Sequence, residues 1–123
     1  MFAPTAEPSG GSAVCRLIQI VTTLGSQADA VRLAEQLIGQ RLAACVQVAG
    51  PLVSLYRWQG KLERAEEWQC TLKTTEPHGE AAVKAILAAH PYELPEVLLL
   101  PVVGCSMGYQ QWVTEQLTDE LSA

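Results

Sequence analysis

The sequence predicts an α+β domain of the split βαβ, ferredoxin-like kind, with element order β-α-β-β-α-β and one further C-terminal helix. Three observations predict it. Strand-like and helix-like segments follow one another in that order. The stretch from Ala43 to Thr75 holds two strand patterns around a single turn signal, Gln59-Gly60, which makes a long hairpin. Finally, 123 residues suffice for one core, and a composition 49% hydrophobic and 17% charged excludes a disordered chain.

Arg16 to Thr23 (RLIQIVTT) is apolar and β-branched, the pattern of a strand buried on both faces. Ser26-Gln-Ala-Asp29 matches a capping box, and Val31, Ala34, Leu37, Ile38 and Leu42 follow at helical spacing, predicting a helix from Gln27 to Arg41. Ala43 to Val48 begins the second strand, which bends at Gly50-Pro51 and resumes from Leu52 to Trp58 with Tyr56 and Trp58 on one face. The third strand runs through Trp68 to Thr75, where Trp68, Cys70, Leu72 and Thr74 alternate with Gln69, Thr71 and Lys73. Pro77 suits the first position of a second helix, in which Val83, Ile86, Leu87 and His90 make one stripe and which Pro91 ends. Glu96 to Val103 is the fourth strand, and Pro101, having no N–H, assigns it to a sheet edge. Tyr109, Trp112, Val113, Gln116, Leu117 and Leu121 pattern the last helix. Residues 1–14, rich in Pro, Gly and Ser, read as a flexible tail, and residues 15–123 as a single domain.

Charge and motifs exclude several functions. The net charge is −5 and the eight basic residues are scattered, so nucleic acid is not an expected partner. The longest apolar run, Val97 to Val103, contains Pro101 and is far too short to span a membrane. No signal-peptide pattern opens the chain, which points to the cytoplasm, and four cysteines without a CxxC pair read as reduced thiols. The loop Thr22 to Gln27 lacks the arginine of a phosphate-cleaving enzyme and the CxxC of a soft-metal chaperone. Strand one lacks the aromatics of an RNA-binding sheet. No nucleophile has a neighbouring signature, so the reading is a non-enzyme.

Individual residues carry the rest. Cys70 and Cys45 read first as packing thiols. His90 ends an apolar stripe before Pro91-Tyr-Glu-Leu-Pro-Glu96; it suits a metal ligand or a helix-end hydrogen-bonding group, and alone the second outweighs the first. Glu63, Glu66 and Glu67 read as a solvated acidic cluster. The apolar surplus over what one small core hides predicts surface buried against copies of the chain.

Five segments in order, Arg41-Leu-Ala-Ala-Cys-Val46, Ser54-Leu-Tyr-Arg-Trp-Gln-Gly-Lys-Leu-Glu63, Glu67 through Thr75, His90-Pro-Tyr-Glu-Leu-Pro-Glu96 and Tyr109-Gln-Gln-Trp112, resemble the CutA divalent-cation tolerance proteins over roughly Leu17 to Leu117. The resemblance implies a ferredoxin-like protomer assembled as a compact homotrimer, similar in shape to the PII signalling proteins, whose hairpin strands continue the sheets of neighbours. It also implies tolerance of copper and other divalent cations, binding of Cu(II), no required cofactor and no established reaction. Of the metal positions that the resemblance implies this chain keeps His90, with Cys45 or an acidic residue as its expected helper; it has Val21 where some members carry a cysteine, Ala89 where some carry a second histidine, and Arg57 where a further aromatic is common. The expectation is therefore weak binding of Cu(II) or another divalent ion. The alternative is a PII-like sensor or scaffold whose inter-subunit clefts take a small ligand or an unidentified partner protein. Tyr56, Trp58, Lys61, Glu67, Lys73 and Tyr92 are its cleft residues.

Overall fold

The computed structural model describes residues 15–118. The predicted tail over residues 1–14 and the helical position of Leu121 lie outside the described residues. The elements are β1 (Leu17–Leu24), α1 (Gln27–Gly39), β2 (Cys45–Trp58), β3 (Lys61–Thr75), a 3₁₀ turn (Glu76–His78), α2 (Gly79–Ala89), β4 (Val97–Pro101) and α3 (Met107–Leu117). They build one four-stranded antiparallel sheet in the order β2-β3-β1-β4, so β4 with its Pro101 is an edge strand as expected.

The main core lies between the sheet and the helices α1 and α2. Ile18, Ile20 and Leu24 of β1 and Cys70 and Leu72 of β3 point to one face, where they meet Ala30, Leu33, Leu37, Ala82 and Ile86. A smaller cluster forms around Leu17, Val113 and Leu117, because α3 packs beside the opposite face at one end only. The rest of that face carries no helix. Thr22 and Thr74 each bury a hydroxyl without a partner among the described residues, a local cost that the β-branched side chains offset by filling the sheet–helix layer.

The helix faces differ from the sequence reading. In α1 the buried stripe is Ala30, Leu33, Ala34 and Leu37, while Val31 and Ile38 stay exposed. In α2 it is Gly79, Ala82 and Ile86, and Leu87 is exposed. Small residues bring α2 onto the sheet: a Cβ on Gly79 would stand 2.9 Å from Ile18 Cδ1. The helices therefore set small residues beside Leu33, Leu37 and Ile86 on their buried sides and leave Val31, Ile38 and Leu87 outside.

Helix ends show the local chemistry. Ser26 caps α1 by accepting from Asp29 N–H at 3.1 Å, but the Asp29 carboxylate accepts from Arg32 at 2.8 Å, so only half of the capping box appears as a bond. The helix also closes two residues before Arg41. Arg41 adopts φ 59°, Leu42 N–H reaches back to Leu37 C=O and Arg41 N–H to Ile38 C=O, the Schellman pattern normally given to glycine. The strained conformation is held by the Arg41 guanidinium, which donates to Gln116 C=O at 2.8 Å and ties α1 to α3. Pro77 sits in the 3₁₀ turn that leads into α2.

Candidate functional site

The long hairpin outruns the rest of the sheet. β1 pairs with β3 only as far as Leu24 opposite Trp68, so residues 61–67 of β3 pair with β2 alone and form a projecting two-stranded arm. Its turn, with Gln59 at φ 51° and Gly60 at φ 79°, has the two left-handed residues of a type I′ hairpin. Side chains alternate along a strand, so Ser54, Tyr56 and Trp58 share one face of the arm. The register, Tyr56 opposite Glu63 and Leu52 opposite Glu67, puts both glutamates on that same face.

The segment after α2 faces this surface. Between them lies an open cleft of about 770 Å³, lined on one side by Tyr56, Trp58, Glu63 and Glu67, on the other by Tyr92, Glu93, Leu94 and Glu96.

His90 fixes the second wall. As the residue before a proline it leaves the helix for an extended conformation, with φ −75° and ψ 132°. Its ring is only 9% exposed. Nε2 lies 2.8 Å from Thr23 C=O, and Nδ1 lies 3.1 Å from Tyr92 N. A carbonyl can only accept and an amide N–H can only donate, so the ring is the neutral tautomer with its proton on Nε2. Tyr92 stacks obliquely on it, ring centroids 4.7 Å apart, and donates its hydroxyl to Glu67 Oε2 at 2.9 Å. The chain Thr23–His90–Tyr92–Glu67 thus fastens the loop to both the sheet and the arm.

Burial, followed by the hydrogen bond to Glu67, pushes the Tyr92 phenol up to about 12 from its ordinary 10. The folded chain keeps a proton that the unfolded chain loses near pH 10, so this contribution to stability is complete below pH 10 and is lost as pH rises towards 12. Denaturant titrations across that window should show a steeper decline for the wild type than for Tyr92→Phe; parallel curves would remove the coupling.

The implied metal set does not fit these positions. The one lone pair of the neutral His90 ring is committed to Tyr92 N–H. Cys45 pairs with Lys73, whereas Thr23, beside His90, pairs with Gln69; four β3 residues separate them, roughly 13 Å. Among the described residues no three His, Cys, Asp or Glu side chains gather in a group that could hold a metal ion. Cys70 is fully buried and its thiol is pushed up to about 11 by burial, the packing role expected of it.

Of the cleft residues named from the sequence, Tyr56, Trp58, Glu67 and Tyr92 come together. Lys61 stands opposite Trp58 at the turn and Lys73 is bonded to Gln47 at 2.7 Å, and neither lines the cleft. The acidic cluster is not uniformly solvated: Glu66 is exposed, but Glu67 is only 8% exposed. Glu63, Glu93 and Glu96 are cleft residues that the sequence reading missed. Glu63 could have been found by counting register outward from Gln59-Gly60, which sets it beside Tyr56.

Comparison with known proteins agrees with this architecture. The family model described as CutA1 divalent ion tolerance protein matches residues 18–116. The chain is 39% identical over 104 residues to the divalent-cation tolerance protein CutA of Pectobacterium atrosepticum, covering 85% of this chain and 94% of that one. It is 37% identical to the Escherichia coli K12 protein of the same name over 100 residues, 81% of this chain and 89% of that one. The crystal structure of CutA from Xylella fastidiosa superposes with TM-score 0.82 at 35% identity, covering 84% and 99% of the two chains. CutA1 from Oryza sativa superposes with TM-score 0.83 at 32% identity, covering 89% and 99%. Matched along nearly its whole described length in sequence and fold, the chain belongs to the CutA1 divalent ion tolerance family.

Proposed function

We propose that the protein works as a homotrimeric divalent-cation tolerance protein of PII-like shape, in the cytoplasm, with weak binding of Cu(II) or another divalent ion. The observation that carries the assembly is the bare arm. A two-stranded ribbon is marginal alone in water, and both edges of this one lack strand partners among the described residues. Its apolar groups, Val53, Leu55 and Leu62, are exposed, Leu62 at 74%. At the other sheet edge Leu98 and Leu100 stand beside Val21 and Gln19 on the face that carries no α1 or α2, Leu98 at 51% exposure. Trp112 and Met107 add exposed apolar area on α3. Covering these surfaces with two further copies gives the apolar surplus a place.

Light scattering on a sizing column should return about three times the 13.3 kDa protomer mass. Replacing the two exposed leucines, Leu98→Asp with Leu100→Asp, should shift that mass downward, since charge on a buried apolar patch is strongly unfavourable. A monomeric wild type would overturn the assembly.

For the metal, the support is membership of a divalent ion tolerance family together with the surface carboxylates; the weakness follows from the absence of a three-ligand group among the described residues. Carboxylate oxygens still suit weak binding of Cu(II), the top of the divalent affinity order. Calorimetric titration of tag-free protein with Cu(II) should give micromolar or weaker binding, and a nanomolar isotherm would contradict it.

A second reading, a sensor or scaffold whose clefts take a small ligand, is favoured by one feature. The cleft between the arm and the Tyr92–Glu96 segment has the size of a small-molecule site and two walls fixed by the Tyr92–Glu67 hydrogen bond.

A further inference from the structure

We propose that this cleft binds an organic cation, an amine or ammonium group carried on a small apolar body. The inference deepens the ligand-binding reading of the cleft and rests on it. Charge is the first argument. The lining brings four carboxylates, Glu63, Glu67, Glu93 and Glu96, and no lysine or arginine. Glu67 is more than nine-tenths buried, Oε2 takes the Tyr92 hydroxyl, and Oε1 accepts nothing among the described residues. Among the described residues the ion pairs are Arg32–Asp29 and Lys84–Glu80, and none reaches Glu67; Lys61 shares the face but stands opposite Trp58 at the turn, outside the cleft. Four carboxylates lining one cleft with no basic side chain among them favour a ligand that supplies positive charge. The same field repels anions.

The aromatic groups decide which cation. Tyr56 and Trp58 line one side and Tyr92 the other, and aromatic side chains suit a weakly hydrated ammonium and its carbon frame. A bare divalent ion needs several oxygens converging within bonding distance, which these carboxylates do not provide. An arginine from a second copy is the competing occupant, since Arg57 and Arg64 alternate onto the opposite face of the arm from Trp58 and Glu63. His90 has a positioning role: by accepting from Tyr92 N–H it holds the residue whose phenol donates to Glu67 Oε2.

The full chain is titrated calorimetrically with choline and with spermidine as cations, and with citrate and ATP as anions. Both cations should give heat that weakens with added salt, and the anions none. Glu67→Gln should lower cation affinity about tenfold or more, the loss of a charge-assisted contact. If Glu67→Gln lowers the melting temperature severely, Glu63→Gln and Trp58→Leu carry the test, with losses of several-fold for spermidine and choline respectively. Binding of citrate or ATP without the cations would overturn the cationic class and leave a ligand cleft standing; no heat from any probe would remove both. Cation heat unchanged in Glu67→Gln and Glu63→Gln would overturn the site. So would silence toward amines in a wild type whose mass falls on Glu67→Gln, because a neighbour's arginine then fills the cleft.

Discussion

Ile20→Ala should lower folding stability by about 3–4 kcal/mol. Ile20 is 0% exposed on the central strand β1, with Leu72 of β3 paired on one side and Leu99 of β4 on the other. It belongs to the cluster that includes Leu37 of α1 and Ile86 of α2, both themselves fully buried. Removing its outer carbons leaves a void roofed by two helices and floored by hydrogen-bonded strands, and none of these can collapse without breaking the ladder. Urea denaturation at fixed protein concentration measures it, with Val31→Ala and Ile38→Ala as controls on the exposed side of α1. Those two should cost well under 1 kcal/mol in a free protomer. A loss for Ile20→Ala as small as theirs would mean that the sheet–helix layer is not the centre of stability.

The fold was legible because its signals are local. Alternation around Trp68–Thr75, the Gln59-Gly60 turn and Pro101 at an edge each follow from one backbone rule, and each appears where the rule puts it. The helix faces were harder. Ala34, Leu37 and Ile86 go inside as their stripes predict, but Val31, Ile38 and Leu87 stay outside while Ala30, Gly79 and Ala82 are buried, because small residues permit a closer approach to the strands. Periodicity measures hydrophobicity and is blind to the depth of packing. Arg41 was hidden for a related reason: nothing in its type announces a left-handed residue, and the compensating bond goes to Gln116, 75 positions away.

The site was half legible. Tyr56, Trp58, Glu67 and Tyr92 meet because strand alternation and a helix-ending proline position them, and both signals are in the sequence. Lys61 and Lys73 join them in the sequence reading as polar groups near expected protomer boundaries; within one protomer Lys73 is six β3 residues from Glu67, roughly 20 Å along the strand. His90 gave two readings that only geometry separates. Its two ring nitrogens are both committed, one to Thr23 and one to Tyr92, which makes it a clasp for the loop.

The bulge of β2 links the core to this site, and Gly50→Ala should report it with a loss of about 1–3 kcal/mol. Ala49 pairs with Gln69 and Leu52 with Glu67, so Gly50 and Pro51 together stand against the single residue Trp68. A Cβ on Gly50 would lie 2.6 Å from Trp68 Cδ1, 2.8 Å from Cγ and 3.0 Å from the Glu67 carbonyl oxygen. The indole packs against the main core and the carbonyl is backbone, so neither neighbour can yield as the tip of a flexible chain would. The strand must retreat or Trp68 must leave its seat, and either motion displaces Glu67, the adjacent residue that holds Tyr92. Lower stability should therefore come with a changed tryptophan emission and weaker choline binding. Gly108→Ala is the control: a Cβ there meets nothing within 4 Å, and in a helix it should be neutral or stabilise by up to about 1 kcal/mol. If Gly50→Ala were as stable as Gly108→Ala while cation affinity was kept, the bulge would be a passive kink, and the arm would hold the cleft without help from Trp68.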